Sequence, residues 1–333
     1  MEMFDWGWLI VIYLFFGGLG AGAYFVSGLA TYLGNATTYR SIARWGAYLA
    51  PFPIIIGSGI LIFDLFRPWN FYRLFLTIQF TSPMSIGSWI LMVFSGVSLV
   101  NAFLWVPRET KERLFSQKFV KKWKGLVDWS WEPGTQERLR SVFAALGLPL
   151  SAGVALYTGI LLGAIPARPL WNTPMLAQLF LFSGLSTGTA AVIILTAFTR
   201  EHALTGDQDA KLLYTLDILL ICLEMLIIVP FLLHAYLATA SIQNSLQLIL
   251  GGPYTFLFWG VVVLGGLLIP LTVEIYEIYP MVFKKHMHHN RALEVASGIL
   301  VLVGGLTLRY VFVFGGQFSE FDPKVASLGL GMP

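Results

Sequence analysis

The stretch WGWLIVIYLFFGGLGAGAYFVSGLATYL, from Trp6 to Leu33, contains no charged side chain. It is longer than the roughly 20 residues that an α-helix needs to cross the hydrocarbon core of a bilayer. It lacks the alternation of apolar and polar residues that is typical of an outer-membrane barrel strand. Its glycine run G-G-L-G-A-G (Gly17–Gly22) resembles a dinucleotide-binding loop, but no strand precedes it, so the run predicts close helix packing instead.

The composition of the whole chain agrees with this segment. Hydrophobic residues make up 56% of the 333 residues and charged residues 12%, whereas a soluble domain carries about 25% charged residues. These values exclude a soluble enzyme and predict an all-α integral membrane protein with eight transmembrane helices. The eight predicted spans are Trp6–Leu33, Trp45–Phe63, Met84–Trp105, Leu139–Gly163, Leu176–Phe198, Leu212–Ala240, Tyr254–Ile275 and Ala292–Phe314.

The distribution of basic residues predicts the orientation of these spans. Sixteen of the 21 lysine and arginine residues lie in or beside the connections after spans 1, 3, 5 and 7. Connections rich in Lys and Arg stay in the cytoplasm. Both termini are therefore expected to be periplasmic, in a multi-pass protein of a bacterial or archaeal cytoplasmic membrane.

Cysteine and histidine counts limit the cofactors that the chain can hold. The single cysteine, Cys222, cannot ligate an iron–sulfur cluster, which needs about four thiolates. Among the five histidines only His234 lies well inside a predicted span, whereas two haems would need four. We expect no metal site in this chain, so any redox metal would belong to a partner.

The connection from Pro107 to Arg138 is the one sizeable polar insert. It mixes basic residues with Leu, Phe, Val and Trp at helical spacing, which predicts a cytoplasmic amphipathic helix at the membrane surface. A docking site for a cytoplasmic partner is the alternative.

A short signature occurs twice on the opposite side. D-L-F-R-P-W-N (Asp64–Asn70) leads to T-S-P-M-S-I-G-S-W (Thr81–Trp89), and A-R-P-L-W-N-T-P-M covers Ala167–Met175. Ser82 and Thr173 suit the N-cap position, and the following prolines suit the first helical turn. Good capping explains the Ser/Thr-Pro-Met part alone, whereas the repeated Arg-Pro and Trp-Asn indicate a weak internal duplication.

Polar side chains inside the apolar spans are functional candidates, because burying them in hydrocarbon costs a few kcal/mol each. They include Tyr157, Asp64, His234, Glu224, Asp217 and Arg309. A quinone site needs hydrogen-bond donors for its carbonyl oxygens and titratable groups that exchange protons. Tyr157 could donate, with Asp64 or His234 as the proton exchanger. A structural tyrosine and a self-neutralising Arg–Glu pair explain the same residues.

Several of these motifs resemble one known family, the polysulfide reductase membrane subunits (the NrfD/PsrC family). The resemblance covers nearly all spans. The motifs that carry it are Y-L-F-F-G-G-L-G-A-G (Tyr13–Gly22), D-L-F-R-P (Asp64–Pro68), S-P-M-S-I-G-S-W (Ser82–Trp89), Y-T-G-I-L-L (Tyr157–Leu162), P-L-W-N-T-P (Pro169–Pro174), F-S-G-L-S-T-G (Phe182–Gly188) and L-R-Y-V-F-V-F-G-G-Q (Leu308–Gln317).

The resemblance implies two four-helix bundles, which would divide the chain into residues 1–163 and 164–333. It implies a menaquinone or ubiquinone site in the first bundle near the periplasmic face. It also implies an iron–sulfur partner subunit there, with a molybdopterin or multihaem catalytic subunit beyond it. The other expected partner is the lipid bilayer, and no nucleic acid is expected.

The same resemblance assigns roles to individual residues. Tyr157 becomes the leading quinone ligand, and Asp64 and Arg67 lie near the ring or its proton supply. Ser85 and Trp89 would shape the pocket or the partner contact. The first span departs from the family, because some members place polar side chains against the ring there, whereas this chain has Tyr13, Gly17, Gly18 and Ala21. Tyr13 is the candidate quinone contact in this span. Four residues would form an internal proton route: Glu224, Asp217, His234 and Arg309.

Two other functions remain open at this level. The intramembrane Glu224, Asp217 and Arg309 suit a proton channel or secondary transporter, although the helices interrupted at mid-membrane that mark many transporters are missing. A passive membrane anchor without a quinone site is the second alternative.

Overall fold

The computed structural model describes residues 6–34, 38–64, 69, 71–72, 76, 79, 81–115, 133–199, 207–282 and 291–319. Within these ranges the chain is helical and forms no strand. Eight helices are long and apolar enough to cross a membrane. The prediction of an all-α, multi-pass membrane protein with eight spans is therefore confirmed.

The spans are numbered 1–8 in chain order. Span 2 consists of two helices that meet at Ala50, and span 7 begins as a π-helix and continues as an α-helix. Among the described residues, the short helices Arg108–Phe115 and Ala240–Leu250 lie between spans. The helices run Trp8–Leu33, Arg40–Leu49, Pro51–Asp64, Pro83–Trp105, Arg108–Phe115, Pro133–Gly163, Pro174–Phe198, Asp207–Leu237, Ala240–Leu250, Phe256–Leu268 (π), Ile269–Val282 and Arg291–Gln317.

The predicted helix starts at the repeated signature agree with the structure. Spans 3 and 5 begin at Pro83 and Pro174. Proline lacks a backbone N–H, which costs nothing there because the first N–H groups of a helix have no partner within it. Thr173 caps span 5, because its hydroxyl accepts a hydrogen bond from the N–H of Met175 at 3.4 Å. Ser82 occupies the N-cap position of span 3 but makes no capping hydrogen bond with its side chain. The capping prediction is confirmed in full only at Thr173.

Spans 1 and 5 form the centre of the molecule. Span 1 contacts spans 2, 4, 5 and 8, and span 5 contacts spans 1, 4, 6 and 8. The most apolar 18-residue window is 72% buried in each of these two spans, against 33% in span 3 and 28% in span 7. Spans 3 and 7 thus lie at the periphery. Because span 5 packs on spans 1 and 4 as well as on 6 and 8, the division into two four-helix bundles stays a prediction.

Glycines allow the two central helices to approach closely. A methyl group added at Gly18 would lie 3.1 Å from the Cα of Gly184, and one at Gly22 would overlap the backbone of Gly184 and Gly188. Both helices therefore present glycines four residues apart to each other, the pattern that brings membrane helices into backbone contact. The glycine run is thus a packing surface, as predicted.

We call the end of the molecule that carries the connections after spans 2, 4 and 6 the outer end, and the opposite one the inner end. Of the predicted amphipathic insert, residues 108–115 are helical, and residues 116–132 lie outside the described residues. The periplasmic location of the termini stays a prediction.

Candidate functional site

The outer end of spans 3 and 4 is joined by one close contact, between Tyr157 and Gly87. Tyr157 is 4% exposed, and its ring occupies the space that a methyl group at Gly87 would need. A side chain at position 87 would displace the ring, so the glycine of S-P-M-S-I-G-S-W is required by this contact. The structure therefore brings together two motifs that lie about 70 residues apart in the sequence.

Tyr13 of span 1 completes this layer. It is buried, and its ring lies beside Gly57 of span 2, where a methyl group would be 3.6 Å from Cδ2 of Tyr13. The hydroxyl groups of Tyr13 and Tyr157 interact, yet the Tyr13 hydroxyl makes no hydrogen bond of good geometry to a described residue. A buried hydroxyl without a good partner costs about 1–3 kcal/mol. We call Tyr13 and Tyr157 the tyrosine pair.

Ser85 and Trp89 lie in the same first turns of span 3. The Oγ of Ser85 accepts a hydrogen bond from the N–H of Gln79 at 3.1 Å. The indole N–H of Trp89 is buried and finds no acceptor among the described residues. The outer end of the first four spans therefore contains two buried donors, the Tyr13 O–H and the Trp89 N–H, that lack a good acceptor within the described structure.

Two predicted site residues lie at the edge of the described structure. Asp64 is the last residue of the helix Pro51–Asp64, and its side chain is outside the described residues. Arg67 also lies outside them. Their predicted roles near the ring stay predictions.

A third buried tyrosine, Tyr24, has a different environment. Its ring occupies the space beside Gly147 of span 4, much as Tyr157 does beside Gly87. Its hydroxyl donates a hydrogen bond of 2.7 Å to the backbone oxygen of Phe143. Tyr24 thus has its hydrogen bond within the helix bundle and needs no ligand.

The second half of the chain buries an arginine. Arg309 of span 8 is 0% exposed. Its Nε donates to the backbone oxygen of Leu14 at 3.3 Å, and one terminal nitrogen donates to Ser183 Oγ at 3.2 Å and to the Gly305 oxygen at 2.6 Å. The other terminal nitrogen points at Gly18, 2.7 Å from where an added methyl group would lie, and has no acceptor among the described residues. Arg309 therefore links span 8 to the residue next to Tyr13.

Buried carboxyl groups continue from Arg309 towards the inner end. Glu224 of span 6 interacts electrostatically with Arg309. Asp217, two turns away on the same helix, accepts a hydrogen bond of 2.8 Å from Ser186 of span 5, and it interacts electrostatically with Glu274 of span 7. An ionised carboxyl group at this depth is expensive, and one oxygen each of Asp217 and Glu274 makes no hydrogen bond to a described residue.

Three further members of this group were missed by the sequence reasoning: Tyr214, Glu277 and Glu294. Glu277 and Glu294 fall at or just beyond the ends of the predicted spans, so they looked like boundary residues. In the structure the helix of span 7 extends to Val282, and both glutamates are buried. The spacing of Glu274 and Glu277, three residues apart on one helix face, was the signal that could have found them.

His234, the fourth residue of the predicted proton route, lies away from this group of buried side chains. Its side chain is exposed, and it lies ten residues after Glu224 on span 6, about 15 Å along a helix.

The buried carboxyl, serine and arginine side chains extend along most of the membrane. Glu294 and Arg309 lie fifteen residues apart on span 8, about 22 Å along the helix axis. Among the described residues, no three His, Cys, Asp or Glu side chains are arranged to hold a metal ion. The chemistry that this set can support is hydrogen bonding and proton exchange.

The two copies of the outer signature also differ. Trp171 is 2% exposed, its indole donates to the Phe312 oxygen at 2.6 Å, and Arg168 donates to the backbone oxygens of Gln317 and Ser319 at 2.5 and 3.1 Å. Trp69, in the first copy, is 88% exposed. The second copy therefore holds the end of span 8, whereas the first leaves its tryptophan available.

Comparison with known proteins agrees with the resemblance seen in the motifs. The family model described as "Polysulphide reductase, NrfD" matches residues 1–319. A "Protein NrfD homolog" of Haemophilus influenzae is 29% identical over 94% of this chain and 95% of its own length. "Protein NrfD" of Escherichia coli is 30% identical over 96% of both proteins. The C chain of the polysulfide reductase of Wolinella succinogenes is 28% identical over 94% of both proteins. The protein therefore belongs to the NrfD family of polysulphide reductase membrane proteins.

Proposed function

We propose that this protein is the quinone-reactive membrane subunit of a respiratory oxidoreductase complex. The observation that carries the proposal is the tyrosine pair, two buried phenols side by side at the outer end of spans 1 and 4. Family membership supports it, because one relative is by name a component of a polysulfide reductase.

The residues around the tyrosine pair suit a quinone. The Tyr13 O–H and the Trp89 N–H are buried donors without a good acceptor among the described residues, and a quinone carbonyl oxygen is such an acceptor. Gly57 and Gly87 have no side chain that would displace the phenol rings packed against them, so the rings keep their positions. Menaquinone or ubiquinone, when bound, supplies the redox chemistry by exchanging two electrons and two protons. Tyr157 and Tyr13 would orient the ring by hydrogen bonds to its oxygens.

Three other residues have supporting roles in this proposal. Asp64, at the outer end of span 2, would exchange protons between the ring and the outer surface. Arg67, three residues further along the chain, would favour the ionised carboxylate. Ser85 would shape the pocket from span 3, because it is buried four residues before Trp89.

The buried carboxyl groups offer a proton route from the inner end. The proposed order is Glu274, Asp217, Glu224 and Arg309, supported by the electrostatic interactions between consecutive members. Arg309 would hold the last proton-bearing group near span 1, because its Nε binds the oxygen of Leu14 next to Tyr13. His234 would serve the outer surface, where its exposed position suits a proton exchanger.

The electrons would come from or go to a partner subunit that carries iron–sulfur clusters, with a molybdopterin or multihaem catalytic subunit beyond it. This partner would bind the outer, periplasmic face, where Trp69 is exposed. Residues 1–163 would form the quinone-binding four-helix bundle and residues 164–333 the second one. In this proposal the protein supplies a binding site and proton access, and the metals belong to other subunits.

Binding of a quinone analogue to the purified complex tests the site. Tyr157→Phe keeps the ring on Gly87 and removes the hydroxyl, so we expect binding to weaken about tenfold, as for a lost hydrogen bond of about 1.4 kcal/mol. Tyr276→Phe is the matched control, because Tyr276 is 71% exposed on span 7. Equal binding by both variants and the unmodified protein would contradict the role of Tyr157.

Replacing Glu224 tests the proton route separately. Glu224→Gln keeps the size of the side chain and removes its proton exchange, so turnover in sealed vesicles should fall at least about tenfold, as expected for a lost proton-transfer group, while quinone-analogue binding is unchanged. Glu109→Gln, at an exposed glutamate, is the control. Normal proton uptake by Glu224→Gln would exclude Glu224 from the route.

A proton channel or transporter is the second candidate function, because the buried carboxyl groups alone would suit it. The two functions differ in their dependence on quinone. A channel would conduct protons in vesicles without quinone or partner, and Tyr157→Phe would not affect it.

A further inference from the structure

A cluster of basic side chains surrounds Trp105 at the inner end of spans 2, 3 and 4. The guanidinium of Arg140 lies 4.0 Å above the centre of the Trp105 ring, and it donates a hydrogen bond of 3.0 Å to the Leu104 oxygen. Lys111, from the short helix after span 3, is 0% exposed, with its Nζ 4.4 Å from the centre of the Phe103 ring. We call Arg40, Lys111, Arg140 and Trp105 the basic cluster.

The charges of the basic cluster repel one another. Arg140 interacts electrostatically with both Lys111 and Arg40. Burial and the neighbouring Arg140 guanidinium lower the pKa of Lys111 to about 8. The carboxylate that acts on Arg140 is that of Glu137, one turn earlier on span 4, and it is exposed. Among the described residues, two further cations and one exposed carboxylate thus act on Arg140, so this described part of its surroundings is net positive.

Two buried donors of the cluster lack an acceptor among the described residues. They are the indole N–H of Trp105, which is 2% exposed, and the Nε–H of Arg140. Buried polar groups in folded proteins nearly always have a partner. Net positive charge together with free N–H donors is the chemistry that binds a phosphate, which has several strong acceptor oxygens.

The surroundings of the cluster favour a lipid over a free ion. Towards the membrane centre, spans 3 and 4 expose apolar side chains directly beside it: Leu99 and Val100 are 49% and 41% exposed, and Val142 and Leu146 are 50% and 53% exposed. These side chains offer an apolar surface for acyl chains next to the cations. Basic pockets between membrane helices commonly bind anionic headgroups in this way.

We propose that the basic cluster binds the headgroup phosphate of an anionic phospholipid, with its acyl chains along spans 3 and 4. Arg140 and Trp105 would donate their free N–H groups to phosphate oxygens, and Lys111 and Arg40 would neutralise the charge. The site lies at the end of span 3 opposite to the tyrosine pair, so it does not depend on the proposed quinone function. It would fix the inner ends of spans 2, 3 and 4 to the membrane.

Native mass spectrometry of the full-length protein, in its complex, tests this site with dioleoyl phosphatidylglycerol as the probe and dioleoyl phosphatidylcholine as the neutral comparison. Each cation near an anionic lipid contributes about fivefold in affinity, so Lys111→Gln should reduce retained phosphatidylglycerol about fivefold and leave phosphatidylcholine unchanged. Arg138→Gln is the matched control, because Arg138 is exposed on the same helix as Arg140, and it should retain the lipid.

Trp105→Phe is the second variant, because it keeps the ring under Arg140 and removes only the indole N–H. It should reduce phosphatidylglycerol retention several-fold even if Lys111→Gln fails to fold. Equal retention by Trp105→Phe, Arg138→Gln and the unmodified protein would overturn the proposal. Complete displacement of the lipid by millimolar inorganic phosphate would also overturn it in favour of a free-phosphate site. Loss of a protein subunit from the variants, with lipid unchanged, would identify the cluster as a protein interface instead.

Discussion

The tyrosine pair and Tyr24 both pack a ring against a glycine, but their hydroxyl groups have different surroundings. Tyr157 and Tyr24 each lay their ring on a glycine of a neighbouring helix, at Gly87 and Gly147. The Tyr24 hydroxyl is bonded to a backbone oxygen at 2.7 Å, whereas the pair includes the Tyr13 hydroxyl without a good acceptor among the described residues. Ring burial is therefore the same at both places, and the state of the hydroxyl group is what differs between them.

The largest effect is expected from Gly87→Ala. The added methyl group would overlap the Tyr157 ring, and overpacking of this kind costs about 1–3 kcal/mol unless the ring moves. We expect quinone-dependent turnover of the complex to fall more than about fivefold, the lower end of that range converted to a ratio. Gly96→Ala, on the same helix with open space around its Cα, should leave turnover unchanged. A fully active Gly87→Ala would show that the position of Tyr157 does not matter for the site.

A smaller effect on activity is expected from Tyr13→Phe. The variant keeps the ring beside Gly57 and removes a hydroxyl that has no good acceptor within the described protein, so the loss should appear in quinone binding. We expect binding of a quinone analogue to weaken about twofold to twelvefold, the range of about 0.5–1.5 kcal/mol for one hydrogen bond. The melting temperature should stay the same or rise, because a buried unsatisfied group is removed. A drop in melting temperature with unchanged binding would make Tyr13 structural.

The smallest effect on activity is expected from Tyr24→Phe. This variant tests the tyrosine whose hydroxyl already has a hydrogen bond within the protein. It breaks the bond to Phe143 and leaves its backbone oxygen without that donor, at a cost of about 1 kcal/mol. We expect the melting temperature to fall by roughly 2 °C and quinone-analogue binding to be unchanged. If binding fell as much as in Tyr13→Phe, the distinction drawn from the hydroxyl groups would be wrong.

Much of the fold could be predicted from the sequence because membrane insertion depends on local composition. Uninterrupted apolar runs identified all eight spans, and prolines and glycines located their starts and close contacts. The errors were at helix ends, where charged residues such as Glu277 and Glu294 lie on helices that extend beyond their apolar core. Hydropathy cannot detect these turns, since the residues face protein and not lipid.

The candidate site was only partly predictable. Tyr157 and the Ser82–Trp89 motif were selected through the family resemblance, and the structure adds that Tyr157 rests on Gly87. No pattern in the sequence indicated that Arg309 of span 8 binds the oxygen of Leu14 in span 1, because such contacts depend on the rotation of each helix about its axis. Single-sequence periodicity is weak in helices that are apolar on every side.

By itself the sequence determined that this protein crosses a membrane eight times, which of its connections are basic, and which titratable residues lie within the spans. Those properties follow from transfer free energies that add up residue by residue along a helix. Only the tertiary structure decided which buried groups meet: Tyr13 with Tyr157, Asp217 with Glu274, and Arg140 with Trp105. The first of these contacts depends on close packing at Gly57 and Gly87, and all three depend on how each helix is rotated and packed against its neighbours.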